Sequence, residues 1–332
     1  MPAGVVLIIS SPEDVHSLSV AHSLTKMGVD PLIVDSASFP LVSQIVFSPH
    51  RRDCWPAFSL SVSGRRVTND NLVGVWWRRP AAHLIDEGVT EPKYREFCSS
   101  ESKMLFRGLI NSLGVAVVNP PHADAMANQK PVQLSMAVLA GFSIPKTAMT
   151  NSPQAVAELL SECDGKVVFK AFTGTSWQIT ETRALTEQHF SCLDDLKYAP
   201  AIFQEKIAPA VDLRVTVIDD EVFCVAIRPS QIGAQLDWRL DLSSKIEPYA
   251  LEVGDAERVV RFVRSMGLRY GAIDFRITPE GRLYFLEINP GGQFLFVDIQ
   301  AGLQVAEAMA RALCRGRELQ SSADGAAVIA FQ

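Results

Sequence analysis

Short apolar runs flank an amphipathic stretch at the start of the chain. Residues 5–10 (VVLIIS) and 31–36 (PLIVDS) are apolar runs of strand length. Between them, apolar residues recur at helical spacing at Val15, Leu18 and Leu24. This order predicts a strand, a helix and a second strand, which is the beginning of a βα-type unit.

The predicted first helix has its own start and stop signals. Ser11 is expected to cap it, with Pro12 in the first turn and Asp14 completing a capping box. Gly28 is expected to end it. The G-x-G-x-x-G turn of dinucleotide-binding units is absent from this beginning, which argues against a dinucleotide site.

A pair of tryptophans and a pair of arginines end a later strand. The sequence predicts a hairpin over 58–70, the strand 73–80 (VGVWWRRP), a helix over 91–113 and a strand over 115–119. Because neighbouring side chains of a strand point to opposite faces, one of Trp76 and Trp77 is expected in the core and the other exposed. Arg78 or Arg79 could then face a cleft.

The remainder of the chain predicts helices mixed with antiparallel strands. Helices are expected over 123–140, 152–163, 253–266 and near 301–314; strands over 166–172 and 201–207; and hairpins over 213–227, turned by Asp219-Asp220, and over 270–290, turned by 279–281. The fold class is therefore α+β behind a βα-type front unit.

Composition narrows the class of protein. The chain has 332 residues, a formal net charge of −6 and no basic block, which argues against non-specific nucleic-acid binding. No apolar run approaches the ~18 residues of a membrane span, and the N-terminus lacks the features of a signal peptide. The six cysteines include no C-x-x-C pair, so we expect reduced thiols in a cytoplasmic protein.

The segment 285–296 (FLEINPGGQFLF) suggests a metal site. Glu287 and Asn289 are two positions apart on a predicted strand, so both side chains point to one face. The 270–290 hairpin would bring Asp274 beside them. Carboxylate and amide oxygens suit a hard cation such as magnesium, which predicts a metal–phosphate site at this hairpin.

Two lysines and a polar strand end are candidate nucleotide-binding groups. Lys170 ends a strand before the small polar residues 173–176, and Lys130 begins a helix. Either ammonium could hold phosphate oxygens, or be an ordinary solvated lysine. The strand end 204–207 (QEKI) could present backbone groups to an adenine edge, with Glu205 accepting a ribose hydroxyl; a polar strand end without a ligand is the alternative.

Arginines and aspartates alternate on predicted strands. Asp212 and Arg214 share one face, as do Asp237 and Arg239, and Arg228 follows the 213–227 hairpin. Several arginines near one phosphate site would stabilise charge in phosphoryl or acyl-phosphate chemistry. Surface ion pairing, worth only ~0–1 kcal/mol for each pair, is the alternative.

The order of these residues resembles the ATP-grasp superfamily. The resemblance rests on Lys130, on Lys170 before its small-residue loop, and on the segments QEKI, DLRV, DWR, AIDF and FLEINPGGQFLF. Within the superfamily, the chain most resembles the ribosomal peptide maturases, the microviridin or graspetide ester- and amide-forming ligases, over essentially its whole length. The E-x-N-P-x-G-Q segment is the most specific match, although Phe294 and Phe296 stand where tryptophans are common.

The resemblance implies a fold and a set of roles. The fold would be ATP-grasp, with an N-terminal pre-ATP-grasp βα domain (1–120), a central small domain (121–202) and a C-terminal antiparallel-sheet domain (203–332). The implied ATP-binding residues are Lys130, Lys170, Gln204, Glu205, Lys206, Ile207 and Asp212. The implied magnesium ligands are Asp274, Glu287 and Asn289, and the implied catalytic residues are Arg214, Arg228, Arg239 and Lys170.

The resemblance also implies a reaction and partners. ATP and magnesium would convert an Asp or Glu side chain in the core of a ribosomal precursor peptide into an acyl-phosphate, which a Ser or Thr hydroxyl or a Lys amine attacks. The leader of that peptide would dock apart from the chemistry, with the hairpin 213–227 and the stretch 185–197 as candidates, and a homodimer would be in keeping with the family. A small-molecule carboxylate–amine ligase and a nucleotide-binding module without catalysis are the alternatives.

Overall fold

The N-terminal part of the chain forms a parallel sheet and a smaller antiparallel one. The computed structural model describes residues 4–48, 57–173, 181–208, 210–229 and 243–315. Its first elements are β1 (Val5–Ile9), α1 (Val15–Lys26), β2 (Asp30–Val34), β3 (Gln44–Ser48), β4 (Ala57–Val62), β5 (Arg65–Thr68), β6 (Leu72–Trp77), α2 (Pro92–Ser112) and β7 (Ala116–Val118). The parallel sheet has the order β2-β1-β6-β7, and β3-β4-β5 is antiparallel. The predicted βα beginning and the predicted hairpin over 58–70 are confirmed.

Both tryptophans of β6 are buried, so the expectation of one exposed aromatic is wrong. Trp76 is 1% exposed and packs in the core that contains Leu24 of α1. Trp77 is 4% exposed, and its ring lies 6.2 Å from that of Phe106 on α2. A parallel sheet is covered on both faces, so neither side of β6 reaches solvent.

The start of α1 also differs from the expectation. Asp14, and not Ser11, is the N-cap: its side chain accepts from the backbone N–H of His16, and the helix begins at Val15. Ser11 lies in the preceding turn, where its backbone oxygen accepts from the N–H of Asp14.

A buried ionisable cluster joins α1 to the end of β6. The carboxylate of Asp14 accepts from Arg78 Nε at 3.1 Å, and His16 Nδ1 lies 3.3 Å from its other oxygen. Burial, together with the charge of Arg78, lowers the pKa of His16 to about 4. Burial alone would raise the pKa of Asp14, but Arg78 and hydrogen bonds from Ser17 and Ser10 outweigh it and lower that pKa to about 2.

The pKa of His16 predicts an acid-sensitive stability. Because the folded pKa lies below the ordinary value of 6.5, the stabilisation is complete above about pH 6.5 and is lost as the pH falls toward 4, by about 3 kcal/mol in total. We expect His16→Gln to remove this part of the pH dependence. Urea denaturation of the wild type and of His16→Gln at pH 7 and pH 4.5 measures this effect. If the difference in unfolding free energy between the two proteins is the same at both pH values, the assignment is contradicted.

The central part forms a four-stranded sheet backed by a helix. Its elements are α3 (Pro121–Ala127), α4 (Lys130–Leu139), β8 (Thr147–Thr150), α5 (Pro153–Glu162), β9 (Val167–Lys170), β10 (Arg183–Ala184), α6 (Glu187–Phe190) and β11 (Ala201–Glu205), in the sheet order β10-β9-β11-β8. Ser152 caps α5 as expected, accepting from the N–H of Ala155. The helix expected over 123–140 is two helices, because α3 ends before Asn128 and Pro131 lies in the first turn of α4.

The C-terminal part is a five-stranded antiparallel sheet with helices on both faces. Its elements are β12 (Val211–Ile218), β13 (Glu221–Arg228), β14 (Lys245–Pro248), α7 (Val253–Ser265), β15 (Tyr270–Ile277), β16 (Leu283–Asn289), α8 (Leu295–Ala301) and α9 (Val305–Cys314), in the order β14-β13-β12-β15-β16. Both predicted hairpins are confirmed. The last predicted helix, near 301–314, corresponds to α9, whereas α8, which ends before Gly302 with φ 67°, was not predicted.

The C-terminal sheet holds the parts of the molecule together. One face packs on α7, α3 and α4, and the other shares a core with α1, α9 and the parallel sheet. Gly74 of β6 allows this packing, since a Cβ there would lie 2.2 Å from the backbone oxygen of Leu313. None of the helices in the described part of the chain has the length and apolar content needed to cross a membrane.

Candidate active site

A β-bulge in the β15–β16 hairpin sets the predicted metal ligands on one face. Phe275 pairs with Phe285, but Asp274 pairs with Glu287, so Leu286 is the extra residue. Without the bulge, Leu286 would lie opposite Asp274, and Glu287 would point to the other face of the sheet. Asn289, paired with Ala272, follows on the same face as Glu287. The bulge therefore brings Asp274, Glu287 and Asn289 together.

Two ion pairs cross from β12 to β15 beside these ligands. Arg214 Nη1 donates to both carboxylate oxygens of Asp274, at 2.9 and 3.0 Å. Two residues away, Arg276 Nε lies 3.0 Å from Asp212 Oδ1. Burial works against the charged form of Arg214, but the Asp274 carboxylate outweighs it and the pKa of Arg214 is raised. Acidic and basic side chains therefore alternate along this face of the sheet.

Two lysines from separate elements meet at Glu287. Lys130, at the start of α4, lies with its Nζ 2.9 Å from Glu287 Oε2, and Lys170, at the end of β9, lies 3.7 Å from the same oxygen. Together with Arg214 and Arg276 of the two ion pairs, these lysines place positive charges from three parts of the chain around the carboxylates of this face. Such a surface suits a polyanion bound together with a divalent metal.

An open cleft separates the central sheet from the C-terminal sheet. It is lined by Pro145, Val168, Lys170, Thr182, Gln204, Glu205, Lys206, Ile207, Asp212, Arg276 and Leu286. A smaller pocket adjoins it and adds Lys130, Gln133, Leu134, Met149 and Ile202. Every residue that was expected to bind ATP therefore lines this cleft or the adjoining pocket.

The strand end at 204–207 is held by hydrogen bonds to side-chain and backbone groups of neighbouring segments. Gln204 is 4% exposed, and its Nε2 donates to Thr147 Oγ1 at 3.1 Å. Glu205 Oε2 accepts from the N–H of Lys146 at 3.2 Å. The N–H of Lys206 donates to Lys166 O. These hydrogen bonds hold the strand end in place at the wall of the cleft.

The proposed metal ligands fit a hard cation. Asp274 and Glu287 supply carboxylate oxygens, and the Oδ1 of Asn289 accepts one N–H, from Gly291 at 3.0 Å, which leaves an acceptor position on that oxygen. The set has two carboxylates and one amide, a combination of oxygen ligands that suits magnesium.

One of the expected arginines, Arg228, is not part of this cluster. Ala226 of β13 pairs with Leu213 on the face that packs against α7, and Arg228 lies two residues further along that face. Its Nε is 4.0 Å from Glu247. Arg239 and Asp237 lie outside the described residues, as do residues 174–176 of the loop after Lys170. Catalytic roles for Arg228 and Arg239 stay predictions.

Sequence reasoning missed several residues of the cleft. Arg276 is the partner of Asp212, and the segment RYGAIDFRI carries the signal for it, since Arg276 is two positions after Asp274 on one strand face. Leu286 lines both pockets because the bulge turns it inward. Met149 and Val168 come from strands whose pairing only the folded sheet reveals.

Removal of the Lys170 charge is expected to weaken nucleotide binding. Hydrogen bonds to charged groups contribute about 1.5–3 kcal/mol, so Lys170→Met should raise the KM for ATP about 10- to 100-fold. Lys26→Met, an equal change at an exposed position on α1, should leave the KM unchanged. Steady-state ADP release measures both, and an unchanged KM for Lys170→Met would remove Lys170 from the phosphate site.

Comparison with protein-family models assigns two consecutive parts of the chain. Residues 5–125 match the MvdD pre-ATP-grasp domain. Residues 127–313 match the RimK-like ATP-grasp domain, which is more than half of the chain.

Solved structures extend the match to nearly the whole chain. Macrocyclase MdnC from Microcystis aeruginosa MRC, bound with precursor peptide MdnA, is 27% identical with a TM-score of 0.82 over 93% of this chain and 99% of that one. A RiPP-associated ATP-grasp ligase from Chryseobacterium gregarium, in complex with ADP and a leader and core peptide, is 26% identical with a TM-score of 0.83 over 94% and 96%. ATP-grasp ligase PsnB, complexed with minimal precursor, Mg and ADP, is 25% identical with a TM-score of 0.76 over 93% and 96%.

A curated relative matches a smaller part. Probable alpha-L-glutamate ligase 2 of Shewanella amazonensis is 27% identical over 203 residues, which is 59% of this chain and 66% of that protein. The chain thus spans slightly under two thirds of that relative's length. The expected ATP-grasp fold is confirmed, and the chain belongs to the RimK-like ATP-grasp family, with a front segment that matches the MvdD pre-ATP-grasp domain.

Proposed function

We propose that the chain is an ATP-dependent ligase that closes ester or amide rings within a ribosomally made precursor peptide. The observation that carries the proposal is the likeness to peptide-bound macrocyclases over the pre-ATP-grasp segment as well as the cleft, with 93% of the chain covered. The domain boundaries after residues 120 and 202 remain part of this proposal. The second boundary falls inside β11.

The proposed ATP site uses the residues that line the cleft. Adenine would lie against the strand end Gln204–Ile207, and Asp212 lies further along the same cleft. The phosphates would extend toward Lys130 and Lys170, whose ammonium groups converge on Glu287. Asp274, Glu287 and Asn289 would hold magnesium, which offsets phosphate charge when bound.

The proposed reaction has two steps. A peptide carboxylate oxygen attacks the γ-phosphorus, and ADP leaves, giving an acyl-phosphate. A hydroxyl or amine of the same peptide then attacks the carbonyl carbon, loses its proton, and inorganic phosphate leaves with the electron pair of the broken C–O bond. Arg214 would stabilise charge at this site, since its guanidinium is buried beside the metal ligands.

A second candidate is addition of a free amino acid to a peptide or protein. The curated relatives named as probable alpha-L-glutamate ligases favour it, at 27% identity over 203 residues. Both candidates consume ATP, so ADP release alone does not separate them.

The sign of a mass change separates the two candidates. The purified enzyme is incubated with magnesium, ATP, L-glutamate and a candidate precursor peptide rich in Ser/Thr and Asp/Glu, and the mass of the peptide is measured by mass spectrometry. Ring closure removes one water for each ring and consumes one ATP, whereas ligation adds a glutamyl residue. A mass gain, or ATP consumption without any loss of water, would contradict the macrocyclase proposal.

Leader docking is proposed on the stretch 185–197. It contains α6 and a 3₁₀ helix (Leu193–Lys197), and Phe190, the last residue of α6, is exposed. The other candidate, the 213–227 hairpin, is less suitable, because its strands are mostly buried and its turn residues Asp219 and Asp220 pair with Arg269 and Arg264. Unchanged affinity for a fluorescent leader peptide after Phe190→Ala and Leu193→Ala would contradict this proposal.

Homodimer formation remains a prediction. Helix α2 exposes Tyr94, Phe97 and Met104, which are apolar side chains on the N-terminal part of the molecule. Sedimentation analysis of the wild-type protein tests it directly.

A further inference from the structure

The backbone that follows the metal ligand Asn289 is held by buried donors from three strands. Gly291 O accepts from Arg78 Nη1, and Gly292 O accepts from Arg78 Nη1 at 3.0 Å and from Tyr270 Oη at 2.8 Å. Gln293 O accepts from Arg214 Nη2 at 3.1 Å. The carbonyl oxygens of three successive residues are therefore bound to side chains of β12, β15 and the residue after β6.

The N–H groups of the same segment are also bound. The N–H of Gly291 donates to Asn289 Oδ1 at 3.0 Å, and that of Phe294 donates to His16 Nε2 at 3.2 Å. Gly292 is packed so closely that a Cβ would lie 2.4 Å from Ala272 Cβ and 2.8 Å from Arg214 Nη2. Residues 291–294 thus have little freedom to shift, and the orientation of the Asn289 amide depends on where they lie.

Among the side chains that bind residues 291–293, Arg78 comes from the N-terminal parallel sheet. Its side chain is 0% exposed, and Asp14 supplies the opposite charge at 3.1 Å. The guanidinium also lies over the Trp76 ring, 5.5 Å from its centroid. A side chain buried and bound on several sides keeps its geometry, so the carbonyls that it holds are fixed relative to β6.

We propose that Arg78 is a positioning residue for the metal site. By binding the carbonyl oxygens of Gly291 and Gly292, it fixes the position of Asn289 and of the Arg214 guanidinium that binds Asp274. The proposal rests on the proposed magnesium ligands. It gives the pre-ATP-grasp segment a part in metal binding, although that segment supplies none of the ligands.

Mn²⁺ binding tests the proposal without relying on activity. The Mn²⁺ dissociation constant is measured by electron paramagnetic resonance with ADP present, alongside thermal unfolding. Loss of a group that orients metal ligands typically weakens metal binding about 10- to 100-fold, and we expect this for Arg78→Lys and Arg78→Ala. Millimolar guanidinium chloride should restore part of the affinity of Arg78→Ala, because the ion fits the space that the side chain leaves. Arg79→Ala, the same charge change at the exposed neighbour, should bind Mn²⁺ like the wild type.

The outcomes are distinct. Unchanged Mn²⁺ affinity in folded Arg78→Lys, or equal weakening in Arg79→Ala, would overturn the positioning role. If Arg78→Ala does not fold, the test rests on Arg78→Lys, which keeps the positive charge but lacks the guanidinium group that binds the two carbonyls. A wild-type protein that binds no Mn²⁺ with ADP would overturn the positioning role and the metal assignment together. Normal Mn²⁺ results without peptide cyclisation would leave the role intact and overturn the macrocyclase proposal.

Discussion

Replacement of Glu287 by glutamine is expected to lower ATP turnover by about 10²–10³-fold while the chain stays folded. The carboxylate lies opposite Asp274 and within 2.9 Å of Lys130 and 3.7 Å of Lys170. An amide keeps the shape and removes the charge, so magnesium loses one of its two charged ligands. Both lysines retain contact with solvent, which limits the cost in stability to about 1 kcal/mol.

The same variant should still bind nucleotide. Glu287 does not line the wall formed by Gln204–Ile207, so the affinity for ADP without metal should change little. ADP release, ADP binding by calorimetry and thermal unfolding measure the three quantities. The matched control is Glu257→Gln on the exposed face of α7, which should behave as wild type. Turnover of Glu287→Gln within about twofold of wild type would contradict the site.

Replacement of Arg214 by methionine is expected to cost about 3–5 kcal/mol of stability as well as ATP turnover. Arg214 is 6% exposed, and it donates to both oxygens of Asp274 and to Gln293 O. Its removal leaves a partly buried carboxylate and a carbonyl without their donor. Arg261→Met, on the exposed face of α7, removes one surface ion pair and should cost less than about 1 kcal/mol.

A double variant separates the structural effect from the catalytic one. In Arg214→Met with Asp274→Asn, the carboxylate that lost its partner becomes neutral, so urea denaturation should show part of the stability restored. Turnover should not recover, because a metal ligand is also lost. A double variant no more stable than Arg214→Met alone would show that the Asp274 pair is not what Arg214 stabilises.

Local patterns predicted that most of the candidate residues lie close together, because these residues follow strand periodicity and chain order. Lys130, Lys170, the strand end 204–207 and the hairpin around Asp274 all line or border one cleft. Glu287 lies beside Asp274 only because of a β-bulge, which strand periodicity alone does not predict. A regular hairpin turned at 279–281 would have placed Leu286 opposite Asp274.

The remaining differences come from tertiary packing. Trp76 and Trp77 are both buried because α1, α9 and α2 cover the two faces of the parallel sheet, which no alternation within β6 reveals. Arg78 reaches residues 291 and 292 from more than two hundred positions upstream. Pairing of Asp212 with Arg276 likewise depends on the β12–β15 register, which the sequence leaves open.

The transfer of carboxyl oxygen tests the central claim most directly. The precursor peptide is made with heavy-oxygen label in its Asp and Glu side chains and incubated with the enzyme, magnesium and unlabelled ATP, and the released phosphate is analysed by mass spectrometry. If the cleft activates carboxylates as acyl-phosphates, one labelled oxygen appears in phosphate for each ring that forms. Ring formation with unlabelled phosphate, or labelled phosphate without loss of water from the peptide, would contradict this account.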